Sequence, residues 1–184
     1  MNPPIETTRL LLRPLSDRDA EGLHAAYGDP EAMRFWNMPA SVDVLQTAAR
    51  IGRSLSAPPA FHACWCLVRK SDDAILGMIN YHHRESWNRR LELGWILAPA
   101  HHGQGLMSEA ARAVLAHCFE AMDCHRVEAL IEAENLPSIK LAESLGMRCE
   151  SGLLRDRLLV EGVFRSAMMF GLLKPEWLAW QGDR

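Results

Sequence analysis

The 184-residue chain has no apolar run near the roughly 20 residues a membrane span requires; Leu10-Leu11-Leu12 is among its longest. Its first residues, Met1 to Glu6, lack the basic-then-apolar pattern of a secretory signal. It has no basic excess either: Lys plus Arg number 20 against 23 Asp plus Glu, a net charge of −3, which argues against direct nucleic-acid binding. Its five cysteines are an odd number scattered through apolar or helical contexts, so a disulfide framework is not expected and the thiols should be reduced. Repeats, low-complexity tracts and Pro/Gly/Ser-rich linkers are also missing. Together these features predict a cytoplasmic protein with one domain over 1–184, a monomer or homodimer with no membrane partner.

Periodicity supplies the elements. Thr8 to Arg13 reads as a strand stopped by Pro14; Ser16, Asp17 and Asp19 read as a cap with first-turn acids, opening a helix through Tyr27. A second helix is predicted over Val42 to Leu55. Strands over His62–Arg69, Ala74–His82 and Arg90–Leu97 should form an antiparallel meander. Ser108 to Met122 carries a helical apolar stripe at Ala111, Val114, Leu115, Cys118, Phe119 and Met122. Val127–Ile131 is strand-like, Asn135–Leu145 is helical with Gly146 as its stop, and two last strands cover Met147–Leu159, with a break, and Val163–Leu172. The expected class is therefore α/β (α+β), with a mixed, mostly antiparallel sheet flanked by helices, in which the strands either side of the Ser108–Met122 helix run parallel.

The junction from Leu91–Leu97 through His101-His102-Gly103-Gln104-Gly105 into Leu106-Met107-Ser108-Glu109-Ala110 carries the chemistry. Two glycines permit turn conformations that a Cβ resists. The first amides of the next helix lack intrahelical partners and sit at its positive end, which suits a phosphate or pyrophosphate. A dinucleotide fingerprint fits poorly, because its third glycine would fall at Ser108.

These residues, in order, resemble the GNAT (Gcn5-related) N-acetyltransferases, in the branch that acetylates ribosomal-protein N-termini (RimJ/RimL-like). The resemblance is carried by Thr7-Thr8-Arg9-Leu10-Leu11-Leu12-Arg13-Pro14-Leu15, Glu92-Leu93-Gly94-Trp95, Gly103-Gln104-Gly105 with Glu109-Ala110, His125-Arg126-Val127-Glu128-Ala129, and Asn135 through Met147. It implies the GNAT acyl-CoA fold and acetyl-CoA as co-substrate. CoA would be held by Trp95, Ile96, Leu97, His102, Gly103, Gln104, Gly105, Leu106, Met107, Ser108, Asn135 and Ser138. Within the family's [Arg/Gln]-x-x-Gly-x-[Gly/Ala] loop, His102 and Met107 are departures. The resemblance also implies a groove where the strand ending near Trp95 diverges from the Val127 strand.

Acetyl transfer to an amine needs a neutral nucleophile, a polarised carbonyl and a proton for the departing thiolate. Alternation sets Glu92 opposite Leu91, Leu93, Trp95 and Leu97, making it the candidate base, acting through water; a plain sheet glutamate paired with Arg90 is the other reading. Ser138 is the candidate partner of the thiolate, and Asn135 could equally be a helix cap. The tyrosine many relatives use as acid has no counterpart near the C-terminus. By resemblance, Met33–Pro39, with Phe35, Trp36 and Asn37, and the region of Tyr81 and Trp87 would hold a primary-amine acceptor, a peptide N-terminus or a small molecule. No metal is expected: His82-His83 and His101-His102 lack a complete ligand set, and adjacent strand residues point apart. A non-catalytic module that binds CoA or a protein partner remains the alternative.

Overall fold

The computed structural model describes residues 2–182. In chain order the strands are β1 (Ile5–Glu6), β2 (Leu10–Pro14), β3 (Ala63–Arg69), β4 (Ile75–Glu85), β5 (Arg90–Leu97), β6 (Arg126–Glu132), β7 (Arg148–Cys149), β8 (Leu154–Val160) and β9 (Val163–Leu173). The helices are α1 (Ala20–Tyr27), α2 (Pro30–Met33), α3 (Val44–Ser56), α4 (Leu106–Ala116), α5 (Leu136–Ser144) and α6 (Lys174–Gly182).

All the strands join one sheet in the order β1-β2-β3-β4-β5-β6-β9-β7, with β8 on β9. Every pairing is antiparallel except β5 with β6. The meander pairs as the alternation predicts, Tyr81 facing Leu93 and His82 facing Glu92. On one face Leu91, Leu93 and Leu97 pack with Ala110, Ala111, Val114 and Leu115 of α4 and with Trp177 of α6. On the other, Cys64, Cys66, Met78 and Ile96 pack with Leu23 and Ala26 of α1 and Ile51 of α3. β5 is thus covered on both faces, and its side chains are positioned from both sides.

Several boundaries differ from the sequence reading for local reasons. Ser16 does cap, its hydroxyl accepting from the Arg18 amide while Asp19 accepts from the Ser16 amide, but a 3-10 turn over Asp17–Asp19 precedes α1. Arg13 grips both oxygens of the buried Asp19, fastening the end of β2 to that turn. α4 starts at Leu106 because the left-handed Gly105 is its cap, and its last turn widens into a π-helical segment, His117–Ala121. The helices α2 and α6 were not anticipated. Asp29 and Pro30 start α2, while Glu176 accepts from the Leu173 amide at the start of α6.

Candidate active site

The strands β5 and β6 pair only at Arg90 with Arg126, Leu91 with Val127 and Glu92 with Glu128. Beyond that point β5 continues along β4, β6 continues along β9, and the two separate. An ion-pair network holds the closed end: Arg90 bonds Glu85 and the buried Glu128, and Arg126 bonds Glu128 and Glu150. The open end is a cleft of about 1010 Å³, lined by Leu93–Leu97 of β5, Ala129–Glu132 of β6, Gly103 and Gly105–Ser108 of the junction, and the start of α5.

At the junction, Gly103 and Gly105 have φ of +72° and +71°, so the chain turns twice through conformations that side chains resist. No side chain caps α4, which leaves its first amides facing the cleft. His102 closes the turn rather than reaching outward, its Nε2 lying 2.8 Å from the Leu97 carbonyl oxygen. Met107, one of the two residues that depart from the family pattern, packs largely into the core while also lining the cleft. Gln104 is exposed, does not line the cleft, and bonds the Ala100 carbonyl through its side chain.

Sequence reasoning gave no role to the brace behind this turn. Arg9 donates to the Gln104 carbonyl at 2.9 Å and to Glu109 Oε2 at 2.7 Å, and the Thr7 hydroxyl also bonds Glu109. Burial works to raise the Glu109 carboxyl, but these bonds outweigh it and hold its pKa below the usual value. The conjunction of Thr7-Thr8-Arg9 with Glu109 was visible in the sequence only as part of a resemblance.

On the floor, Trp95 Nε1 donates to Ser138 Oγ at 3.2 Å, leaving the serine proton available. Asn135 is the cap of α5, its Oδ1 accepting from the Ser138 amide at 3.2 Å. Asn135 and Ser138 both line the cleft, as do Trp95, Ile96, Leu97, Leu106 and Ser108.

Glu92 faces the opposite half of the cleft. Its partners are not Arg90 but two histidines: His82 Nε2 is 3.2 Å from Oε1 and His83 Nδ1 is 3.2 Å from Oε2. Burial pushes the Glu92 carboxyl up, yet the hydrogen bonds and charges of His82 and His83 outweigh it and hold the pKa below the usual glutamate value. The premise that adjacent histidines must point apart fails here. His83 has φ of +48° at an irregularity between His82 and Glu85, and both rings turn to the same carboxylate. Asn80, on the same face as His82, is 7% exposed, and its Oδ1 has no hydrogen-bond partner. The Oδ1 lies against Gly94, where a Cβ would come within 2.7 Å of it. The parity of β4 opposite Glu92 was the signal that could have found Asn80 and His82.

Phe35, Trp36 and Asn37 line this half of the cleft, together with Met38, His62 and Arg157. Tyr81 does not. It is 2% exposed on the core face, with its hydroxyl donating to the Pro59 carbonyl, because Ile79 and Tyr81 alternate away from Asn80 and His82. Trp87 is 84% exposed on the β4–β5 turn and lies outside the cleft lining.

Comparisons agree with this geometry. The acetyltransferase (GNAT) domain profile matches residues 9–148. An uncharacterized N-acetyltransferase of Bacillus licheniformis, p20, is 34% identical over 173 residues, covering 93% of this chain and 96% of the relative. A GCN5-related N-acetyltransferase from Brucella melitensis superposes with a TM-score of 0.88 at 21% identity, over 97% of this chain and 82% of that one. A spermidine N-acetyltransferase from Vibrio cholerae, solved with CoA and spermine, gives 0.80 at 19% identity, over 94% and 99%. With the splayed strands, the doubly left-handed glycine turn and a profile match across most of its length, this chain belongs to the GNAT family of N-acetyltransferases.

Proposed function

We propose that the protein transfers an acetyl group from acetyl-CoA to the neutral form of a lone primary amine, such as a peptide α-amine, by direct attack within a ternary complex. The carrying observation is the separation of β5 from β6 just past Glu92, with an uncapped helix start at one end of the cleft and the partly buried Glu92 carboxylate at the other. Acetyl-CoA supplies an activated acyl carbon and a thiolate leaving group. The amides at residues 106–108 would hold its diphosphate, and the unpaired edge of β5 would run beside its pantetheine arm.

A neutral primary amine has one lone pair and two N–H bonds. In this reading Glu92, through water, faces one N–H, which turns the lone pair toward the acyl carbon. As the C–N bond forms, the nitrogen becomes strongly acidic and its proton passes through the water to Glu92. The C–S bond then breaks, CoA leaves as the thiolate, and the Ser138 hydroxyl, polarised by its bond from Trp95, donates a hydrogen bond to the departing sulfur. Thiol chemistry is poorly placed: Cys64 and Cys66 are buried, their pKa values raised by burial to about 11 and about 12.

The charge of the cleft carries the choice of acceptor. Of its three acids, Glu92 is shared by His82 and His83 and Glu132 is paired with Arg165, which leaves Glu31, and Arg157 lies on the wall, so a polyamine would meet a mixed rather than a strongly acidic surface. With acetyl-CoA saturating, kcat/KM for a tripeptide with a free α-amine is expected to exceed that for spermidine. The reverse order, measured by thiol release and product mass, would assign the protein a polyamine acceptor.

Two further outcomes follow. Ser138→Ala should lower kcat by about tenfold, the value of a single hydrogen bond to developing charge, with CoA affinity nearly unchanged; unaltered turnover would remove Ser138 from the reaction. The pH profile should also separate the groups. Because the Glu92 pKa is depressed, the carboxylate is ionised throughout neutral pH, so its protonation cannot set the acid limb there. That limb should follow the acceptor amine, moving with amines of different basicity around the reference of about 7.7–8.0 for an α-amine. An acid limb fixed across such amines would contradict this assignment.

A further inference from the structure

The His82–His83–Glu92 group combines three features that catalysis of acetyl transfer does not require. The donor atoms of all three residues lie within 4.8 Å of one another. His82 Nε2 lies 3.2 Å from Oε1 and His83 Nδ1 3.2 Å from Oε2 of the same carboxylate, near the spacing of about 3.3–3.6 Å between neighbouring ligands of a tetrahedral ion with bonds of about 2.0–2.2 Å. And the arrangement depends on His83 holding a left-handed φ of +48°, which is costly for a residue other than glycine and persists only where its surroundings impose it. In a regular strand the His83 ring would lie on the far face of the sheet.

We propose that His82 Nε2, His83 Nδ1 and the Glu92 carboxylate form a binding site for a zinc-like divalent transition-metal ion, and that occupancy of this site reversibly inhibits the enzyme. Two imidazoles and one carboxylate suit zinc, cobalt, nickel or copper; magnesium and calcium favour all-oxygen shells. His83 is largely exposed, so an ion can enter from solvent, and all three residues line the cleft. A ligating histidine needs a fixed tautomer. The Asn80 amide nitrogen lies 3.4 Å from His82 Nδ1, and rotation of that amide presents an oxygen to an Nδ1–H when Nε2 binds metal. Binding draws on the Glu92 electron pairs that would otherwise accept a proton, which is why the ion should inhibit. The site itself is independent of the proposed reaction; the inhibition rests on it.

The test uses the full chain stripped of metal. Calorimetric titration with zinc chloride should give one event per chain, weakened at least about tenfold by His83→Ala and by Glu92→Gln. Cys149→Ser should leave it unchanged, since the exposed Cys149 is the obvious competing thiol. Cobalt chloride should produce a visible absorption spectrum of nitrogen and oxygen ligation without a thiolate charge-transfer band. Equal zinc affinity in wild type and His83→Ala, or a thiolate band lost in Cys149→Ser, would overturn the site. In activity assays zinc should lower kcat for amine acetylation, with kcat/KM falling in parallel, leave CoA affinity alone and be reversed by chelator. Zinc bound at these three residues with turnover untouched would sustain the site but overturn both the inhibition and the role of Glu92. If metal-free protein acetylates no amine, the functional reading fails while calorimetry still decides the metal site.

Discussion

Glu92→Gln is expected to lower kcat for amine acetylation by about 10²-fold or more, with kcat/KM falling in parallel and the dissociation constant of CoA unchanged. The substitution keeps the shape of the side chain and one carbonyl oxygen able to accept from His82, but removes the charge and the proton-accepting capacity. A parallel loss in kcat and kcat/KM is the signature of an interaction made only as the reaction proceeds. The low pKa of Glu92 does not disqualify it. A weak base cannot efficiently strip a free ammonium ion, but it need not, because the proton it receives comes from nitrogen already bonded to the acyl carbon. The residue also contributes to stability in a defined window. Its pKa is lowered in the folded state, so its contribution is present above the unfolded value and is lost as pH falls through the folded one. Measuring kcat, kcat/KM and CoA binding for wild type and variant at several pH values tests the assignment; turnover retained at every pH would eliminate it.

The strand that carries Glu92 was legible to the residue, Arg90–Leu97, because alternation and the following glycine turn both mark it. Its parity placed Glu92 away from the α4 core, as observed. What stayed hidden depends on contacts between distant segments. No local pattern announces that His83 turns left-handed, since that follows from how β4 meets β5 around the irregularity past His82. The same applies to the brace of Arg9, Gln104 and Glu109, which joins residues about a hundred positions apart. Tyr81 was misplaced for a different reason. Its register with Leu93, itself a core residue, was inferable from the meander, and applying the same alternation to β4 would have put Asn80 and His82 in the cleft instead. The missed α6 ends the chain with a buried Trp177 whose ring lies 5.3 Å from that of Phe119, a tertiary contact that stabilises a short helix of weak amphipathic pattern.

Gly105→Val is expected to weaken CoA binding by about 10²-fold or more while leaving most of the fold intact. Space is not the obstacle, because a Cβ at this position would meet only the Arg9 guanidinium, at 3.7 Å. The obstacle is φ of +71°, which a β-branched residue adopts at a cost of about 1–3 kcal/mol. Relief of that strain must rotate the peptides flanking residue 105. Leu106 and Met107 are buried and resist following, so the distortion falls on the amides that face the cleft. Each hydrogen bond lost to a charged diphosphate is worth a further ~1.5–3 kcal/mol. Gly105→Asn supplies the control: asparagine tolerates the left-handed region far better than valine, so a side chain of similar size should cost much less affinity. Equilibrium titration with CoA, alongside thermal melts to separate binding from folding, reads the comparison. Valine and asparagine variants weakened alike would mean that the side chain obstructs the ligand rather than the backbone; valine binding as tightly as wild type would detach the diphosphate from the start of α4.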